Sequence, residues 1–209
     1  SMGVAQPGNP PRALARGRDA TPELPSTSHI SIVDKSGMAV AMTSSIEDGF
    51  GSRLMVNGYL LNNQLTDFSF TSVDAAGLPV ANRVEPGKRP RSSMSPLLVF
   101  DKASGELEMS LGSPGGSAII NYVGKALLGT QDWGLDLQQA INLPNFGSRN
   151  GPTELEQGRT PDAVVQGLKA RGHEVLLNEQ TSGLQGVQRH AGGWLGAADP
   201  RREGVARGE

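Results

Sequence analysis

Thr27 is the most unusual candidate for a nucleophile in this sequence. It follows a proline-rich stretch and begins a run in which polar and apolar residues alternate. A threonine hydroxyl is a weak nucleophile, but a threonine at the start of a chain can use its own α-amine as the base. Cleavage of the Ser26–Thr27 bond would free such an amine, whose pKa lies near neutral pH. His29, two residues on, would share one face of a strand with Thr27. A β-branched residue that simply begins a strand fits the same pattern.

Three further segments carry groups that could bind or polarise a substrate. Residues 112–117 (GSPGGS) precede a predicted helix, and backbone N–H groups at adjacent glycines suit an oxyanion hole. Residues 91–96 (RSSMSP) hold adjacent hydroxyls that could bind a carboxylate. Residues 60–68 (LLNNQLTDF) place Gln64 and Asp67 after a short apolar strand, where both could accept hydrogen bonds from an ammonium group. Each segment alone is also typical of an ordinary turn.

The composition excludes several other kinds of chemistry. The 209 residues contain no cysteine, which excludes disulfides, thiolate zinc sites and a cysteine nucleophile. The three histidines are scattered and no carboxylates cluster at ligand spacing, so we expect neither a metal nor another cofactor. A net charge of −2 gives no sign of nucleic-acid binding. The sequence has no GxSxG elbow, phosphate-binding loop or dinucleotide fingerprint, and no apolar run that could span a membrane.

The elements that would position these residues follow from the apolar pattern. Residues 1–26 contain five prolines and lack apolar periodicity, so we predict a linker or tail. Alternation over 29–33 and 38–42 around a glycine-containing turn predicts a hairpin. A second hairpin is predicted for 97–100 and 107–111.

Helices are predicted for the middle of the chain. The first follows residue 117 and directs one apolar face inward, made of Ile119, Ile120, Val123 and Leu127. A short second helix covers 135–141. A third starts with Thr160 as N-cap and Pro161 at the first position, and runs to Gly172 with three residues inward: Val164, Val165 and Leu168. Final strands are predicted at 174–177, 186–188 and 193–197. Strand-rich regions around a helical middle indicate an α+β layered fold.

Together and in this order, the segments resemble the small subunit of the γ-glutamyltranspeptidases. The matching stretches are 27–34 (TSHISIVD), 50–51 (FG), 61–64 (LNNQ) with 67–68 (DF), 88–96 (KRPRSSMSP), 112–116 (GSPGG) and 198–201 (ADPR). Each stretch is weak alone, but the ordered set is specific and spans residues 27–201.

The resemblance implies a fold and a maturation step. The family is similar to other N-terminal-nucleophile hydrolases, which form a four-layer αββα sandwich. Its precursors cut themselves before the threonine to give a large and a small subunit. Residues 1–26 would then be the precursor tail before the cut, and 27–209 the small-subunit catalytic domain. The large subunit of the same precursor would be the partner of this chain. In the family it supplies part of the sheet and an arginine that binds the substrate carboxylate. We therefore expect the isolated chain to be catalytically incomplete.

The resemblance also implies the groups that carry out acyl transfer. Thr27 would be the nucleophile and its freed amine the base. Ser45 stands where members usually have a threonine whose hydroxyl contacts the nucleophile. Gly115 and Gly116 would supply the oxyanion-hole N–H groups.

The remaining roles concern recognition of the γ-glutamyl group. Ser92 and Ser93 would bind its α-carboxylate, and Gln64 and Asp67 its α-ammonium. Glu47 departs from the family, because many members have asparagine there; a carboxylate at this position can also pair with an ammonium.

The resemblance implies transfer or hydrolysis of γ-glutamyl groups, as from glutathione, to an amino acid or water, and suggests a periplasmic or secreted protein. One alternative is a glutaryl or cephalosporin-type acylase of the same fold, against which the three predicted ammonium acceptors argue. Another is a catalytically incomplete fragment that acts only by association through an uncovered apolar sheet face.

Overall fold

The computed structural model describes Gly17 and residues 27–208, so the predicted tail lies outside the described residues except for Gly17. The strands are β1 (Thr27–Val33), β2 (Ala39–Ser45), β3 (Met55–Val56), β4 (Tyr59–Leu60), β5 (Leu97–Phe100), β6 (Leu107–Gly112), β7 (Phe146–Gly147), β8 (Thr153–Glu156), β9 (Val175–Asn178), β10 (Gln185–His190) and β11 (Gly193–Ala198). The helices are α1 (Ile119–Gln131), α2 (Leu137–Asn142) and α3 (Asp162–Ala170). None of the described helices has the length and apolar character needed to traverse a bilayer.

The described residues divide into two compact units. The sheet unit comprises 27–44 and 93–208, and the loop unit comprises Gly17 and 45–92. All three helices and every strand except β3, β4 and the last residue of β2 belong to the sheet unit.

A four-stranded antiparallel sheet is the centre of the sheet unit. Its order is β11-β10-β6-β5, with hairpins joining β5 to β6 and β10 to β11. Side chains alternate between the two faces of a strand, and one face of the sheet packs against α1 and α2. This core contains ten buried apolar residues: Met109, Leu111, Ile119, Tyr122, Val123, Ala126, Leu137, Ile141, Leu184 and Ala197.

The β1–β2 hairpin packs by polar contacts. Ser110 Oγ lies 2.9 Å from Ser31 Oγ and 3.1 Å from the Val40 carbonyl oxygen, and these two acceptors share its single proton. The His29 ring lies against Gly112, where an added Cβ would come within 2.2 Å of it, so only glycine fits. Because Ser110 and Gly112 alternate along β6 with the core residues Met109 and Leu111, the hairpin and the helices contact opposite faces of that strand.

The outward face of the hairpin is apolar and exposed. It consists of four side chains: Ile30, Ile32, Val40 and Met42. The sheet unit therefore forms a hairpin layer, a sheet layer and a helical layer, and the hairpin layer lacks an apolar cover within the described residues.

A second, smaller sheet completes the sheet unit. β8 lies between β7, which is antiparallel to it, and β9, which is parallel to it. The α3 helix connects the two parallel strands, as a parallel pair requires a crossover.

The predicted helices and strands occur in the structure, but some of their boundaries and buried faces differ. Both predicted hairpins are confirmed. The first helix exists, but the predicted face is wrong at Ile120, which is 58% exposed because Tyr122 and Ala126 occupy the buried side. The second helix begins at Leu137, with Asp136 as its N-cap; the Asp136 carboxylate accepts a 2.8 Å hydrogen bond from the Gln139 N–H.

The third helix differs most from its prediction. It runs over Asp162–Ala170, and Pro161 is its N-cap, with no side-chain capping bond. The predicted cap at Thr160 is therefore wrong, since extended backbone at Pro161 (ψ 139°) delays the helix by one residue. Val165 is buried as predicted, whereas Val164 is exposed. Three strands were not predicted: β3 and β7 have only two residues each, and β8 has a single apolar residue among its four.

Candidate active site

Thr27 is the first residue of β1 and is half-buried. Its strand begins at the point where the sequence analysis located the end of the tail. Thr27, Ser93, Gly115 and Gly116 all belong to the sheet unit.

His29 lies inside the sheet unit with both ring nitrogens engaged. Nδ1 is 2.8 Å from Thr43 Oγ1, and Nε2 is 3.0 Å from Ser31 Oγ. Burial lowers the pKa of His29 from 6.5 to about 4, because the charged imidazolium would lose its hydration. A ring with a lowered pKa and both nitrogens already hydrogen-bonded is a poor proton acceptor, so the α-amine of Thr27 stays the predicted base.

The glycine-rich segment connects β6 to α1 by a sharp turn. Gly115 has φ 139° and Gly116 has φ 58°, both in the region that favours glycine. A Cβ on Gly115 would also lie 2.5 Å from Cε2 of Tyr122. Both the backbone conformation and the contact with Tyr122 therefore exclude a side chain at this position. A 3₁₀ turn over Gly116–Ala118 leads directly into α1. The N–H groups of this turn lie at the positive end of a 13-residue helix, where negative charge is stabilised.

In the loop unit, Glu47 is held in an unusual conformation. It is buried and has φ 76°, which is rare for a residue with a side chain. Asn63 Nδ2 donates to Glu47 Oε2 at 2.9 Å, and Asn63 Oδ1 accepts from the Asp48 N–H at 3.0 Å. The Glu47 N–H donates to Ser45 Oγ at 2.9 Å. Strained backbone of this kind clusters at functional sites.

Gln64 and Asp67 are brought together by a 3₁₀ turn over Gln64–Asp67, where Gln64 Nε2 donates to Asp67 Oδ2. Asn82 ties this turn to the serine segment: its Nδ2 donates to the Asp67 carbonyl at 2.6 Å, and its Oδ1 accepts from the Arg91 N–H at 3.0 Å. The backbone of Arg91, the residue before Ser92, is thereby linked through Asn82 to the backbone of Asp67.

Sequence reasoning missed the bridging roles of Asn63 and Asn82. Only long-range contacts reveal these roles, and their one sequence signal, an amide that can donate and accept at once, is too common to be diagnostic. Within the described residues, no group of three or more histidine, aspartate or glutamate side chains is arranged to hold a metal ion.

Comparison with known proteins decides the family. A profile described as Gamma-glutamyltranspeptidase matches residues 5–209. The chain belongs to the γ-glutamyltranspeptidase family. A similar curated protein is the Glutathione hydrolase proenzyme of Escherichia coli, 38% identical over 205 residues; the match covers 92% of this chain and 34% of that protein. The corresponding proenzyme of Bacillus subtilis is 33% identical, with 87% and 30% covered. The chain thus spans about a third of these γ-glutamyltranspeptidase relatives.

Solved structures of the family have the same fold. Gamma-glutamyltranspeptidase from Pseudomonas nitroreducens complexed with L-DON matches with a TM-score of 0.74 and 31% identity, covering 87% of this chain and 98% of that chain. A cephalosporin acylase from Bacillus halodurans matches with a TM-score of 0.71 and 25% identity, covering 87% of this chain and 34% of that one. The predicted α+β fold of the N-terminal-nucleophile hydrolases is therefore confirmed.

The matched share differs between the curated relatives and the solved chain. A region that makes up a third of a proenzyme makes up 98% of the matched Pseudomonas nitroreducens chain. The curated relatives are named as proenzymes, and the large-subunit partner of this chain stays a prediction.

Proposed function

We propose that this chain is the small-subunit half of an enzyme that transfers or hydrolyses γ-glutamyl groups, with Thr27 as its nucleophile. The family membership and the conformation of Gly115 and Gly116 before α1 support this proposal most directly. The names of the relatives point to glutathione as a donor. We further propose that residues 1–26 precede a self-cleavage site and that residues 27–209 belong to the small-subunit catalytic domain.

The acyl-transfer half of the reaction uses the sheet unit. The free α-amine of Thr27 takes the proton from its hydroxyl, and Oγ1 attacks the γ-carbonyl carbon of the donor. The N–H groups of Gly115 and Gly116 stabilise the negative charge that develops on the carbonyl oxygen. The C–N bond then breaks, the leaving amine takes the proton from the Thr27 ammonium, and a γ-glutamyl ester remains on Thr27.

Release of the acyl group reverses the proton transfers. The Thr27 amine takes a proton from water or from the amine of an acceptor amino acid, which attacks the ester. Water gives glutamate, and an amino acid gives a new γ-glutamyl amide. Ser45 would be the second hydroxyl residue of the reaction, a role implied by the family resemblance. The cycle requires no cofactor.

Donor recognition would depend mainly on the loop unit. Gln64, Asp67 and Glu47 offer acceptors to the α-ammonium, and an ammonium has three protons to donate. Ser92, together with Ser93 of the sheet unit, would bind the α-carboxylate. Glu47 and Asp67 would both contribute negative charge, which would favour a cationic group in the donor.

Two other functions remain candidates. The similarity to a cephalosporin acylase supports an acylase of glutaryl-type side chains, although such a donor lacks the ammonium that the three acceptors fit. The exposed apolar face of the β1–β2 hairpin supports a partner, which we propose is the large subunit of the same precursor. A chain used only for association would keep that face without needing Thr27.

The test uses a precursor in which this chain is joined to its large-subunit half. We expect cleavage before Thr27 and turnover of a γ-glutamyl anilide. Thr27→Ala should give neither, whereas Thr27→Ser keeps a hydroxyl and should retain part of both. Turnover by an uncut Thr27→Ala precursor would contradict the proposal.

A further inference from the structure

Ser113 stands in the glycine-rich segment, and the proposed reaction assigns it no role. Its side chain is fully buried, between the end of β6 and the two candidate oxyanion-hole glycines. Ser113 Oγ donates to the Pro114 carbonyl at 2.6 Å and accepts from the Gly183 N–H at 3.2 Å. Both bonding functions of the hydroxyl are therefore used on backbone groups.

The bond to Pro114 fixes the direction of the next N–H. The Pro114 carbonyl and the Gly115 N–H belong to the same peptide group, which is planar and trans. Holding the carbonyl oxygen on one side therefore points the Gly115 N–H to the other side. Without that bond the peptide could rotate, because Gly115 has no side chain to restrict it.

The segment that holds Ser113 is itself anchored in the interior. Asp199 Oδ2 accepts from Ser182 Oγ at 2.6 Å and from the Leu184 N–H at 3.2 Å, on either side of Gly183. The Gly183 backbone is also packed against Pro114, since an added Cβ would lie 2.6 Å from the Pro114 Cγ. Gly183 is thus held through both of its neighbours in the chain, next to Ser113.

The Asp199 carboxylate is in turn held by charge. Arg201 donates to Asp199 Oδ1 from Nη1 and from its backbone N–H, both at 3.0 Å, and its Nε donates to Glu156 Oε1 at 2.6 Å. Asp199 and Glu156 are both buried. Hydrogen bonds between charged groups are short and strong when they are buried. The Asp199 carboxylate, which begins the series of contacts leading to Ser113, is therefore firmly held.

We propose that Ser113 is a positioning residue that orients the Gly115 N–H towards the oxyanion, and that Asp199 holds it in place through Ser182 and Gly183. This role rests on the proposed function of Gly115. Ser113 does not touch the substrate; it sets the direction of the group that does. It therefore affects the rate of acyl transfer more than the binding of the donor.

The test compares Ser113→Ala with Ser110→Ala in the complete precursor. Both serines are fully buried on or next to β6, and each makes two hydrogen bonds, but those of Ser110 go to Ser31 and Val40. Misplacing a catalytic group by about 1 Å costs on the order of a hundredfold in rate. We expect Ser113→Ala to lower kcat by roughly tenfold to a hundredfold with KM within about threefold, and Ser110→Ala to change neither by more than about threefold at a similar loss of thermal stability.

Equal kcat values for the two variants would overturn the proposal. Hydrogen exchange at the Gly115 and Gly116 amides gives a second result that does not depend on turnover. Faster exchange in Ser113→Ala than in Ser110→Ala supports the positioning role, and equal exchange overturns it. If the unmutated precursor fails to turn over a γ-glutamyl donor, the proposed function fails, while the exchange comparison still decides the role of Ser113.

Discussion

The sheet unit and the loop unit are stabilised in different ways. The sheet unit has ten buried apolar residues in one cluster between sheet and helices. In residues 45–92 of the loop unit, only Phe68 and Val80 are buried apolar side chains, and eleven large apolar ones are exposed: Phe50, Leu54, Met55, Val56, Tyr59, Leu61, Leu65, Phe70, Val73, Leu78 and Val84. Its order depends instead on polar bridges such as Asn63 and Asn82.

The difference separates two requirements of the proposed reaction. Oxyanion stabilisation needs backbone groups fixed in advance, and a packed core fixes them. Recognition of a charged donor needs several converging polar groups, which a loop segment can supply once its apolar surface is covered. The proposed function predicts that the remainder of the precursor covers the exposed apolar residues of the loop unit.

The largest expected effect concerns donor choice by the loop unit. A site built around a polar substrate group can reject an analogue without that group by about 10⁴–10⁵. We therefore expect kcat/KM of the complete enzyme for a γ-glutamyl anilide to exceed that for the matched glutaryl anilide by up to this factor. Asp67→Asn should narrow the ratio by weakening the ammonium contact. Equal values for the two anilides on the unmutated enzyme would remove the ammonium site and favour the acylase alternative.

A single methyl group tests the rigidity of the sheet unit. Gly115→Ala adds a Cβ 2.5 Å from the Tyr122 ring at φ 139°, so the turn must shift, and we expect kcat to fall by about 10²–10³, as when an oxyanion donor is lost. Gly124→Ala is the matched control, because it lies within α1 with no atom within 4 Å of the new Cβ. That change should leave kcat unaltered and stabilise the helix by about 0.5–1 kcal/mol. A Gly115→Ala enzyme as active as this control would exclude the oxyanion role.

Hydrogen exchange compares the two units directly. In this chain alone, amides over 45–92 should exchange faster than those of β6 and α1, because few apolar contacts protect them. Joining the large-subunit half should slow exchange over 45–92 more than over β6 and α1. Equal protection of both regions in the chain alone would show that the loop unit needs no cover.

The smallest expected effect is a pH dependence of stability in the sheet unit. His29 has a pKa of about 4 in the folded protein, below its usual 6.5, so between these values an unfolded chain binds a proton that the folded one does not. Above about pH 6.5 His29 is neutral in both states and does not lower the free energy of unfolding. As the pH falls from there to about 4, protonation of the unfolded chain lowers that free energy. His29→Gln, which does not titrate, should show a shallower loss in denaturant titrations across this range. Parallel curves for the two proteins would mean that His29 is not the group responsible.

The sequence predicted elements well where local patterns are strong. Alternation around turn residues located both hairpins, and the glycine segment located the start of α1. It failed where tertiary packing overrides local preference: Ile120 faces solvent because Tyr122 fills the core, and Pro161 displaces the predicted cap.

The candidate site shows the same division. Residue types and order were enough to nominate Thr27, Gln64, Asp67 and the glycine pair. Other contacts support these residues, such as Ser113 with Gly183 and Asn82 with Arg91. The first pair is far apart in the sequence, and the second consists of residue types that occur many times in the chain. No local pattern encodes those pairs.

The identity of the nucleophile is tested most directly by mass spectrometry of the complete precursor, before and after reaction with a γ-glutamyl donor whose ester hydrolyses slowly. The proposed function predicts a small chain that begins at Thr27 and, after reaction, a γ-glutamyl group attached to that residue. A chain cut elsewhere, or an uncut chain acylated on another side chain, would contradict it.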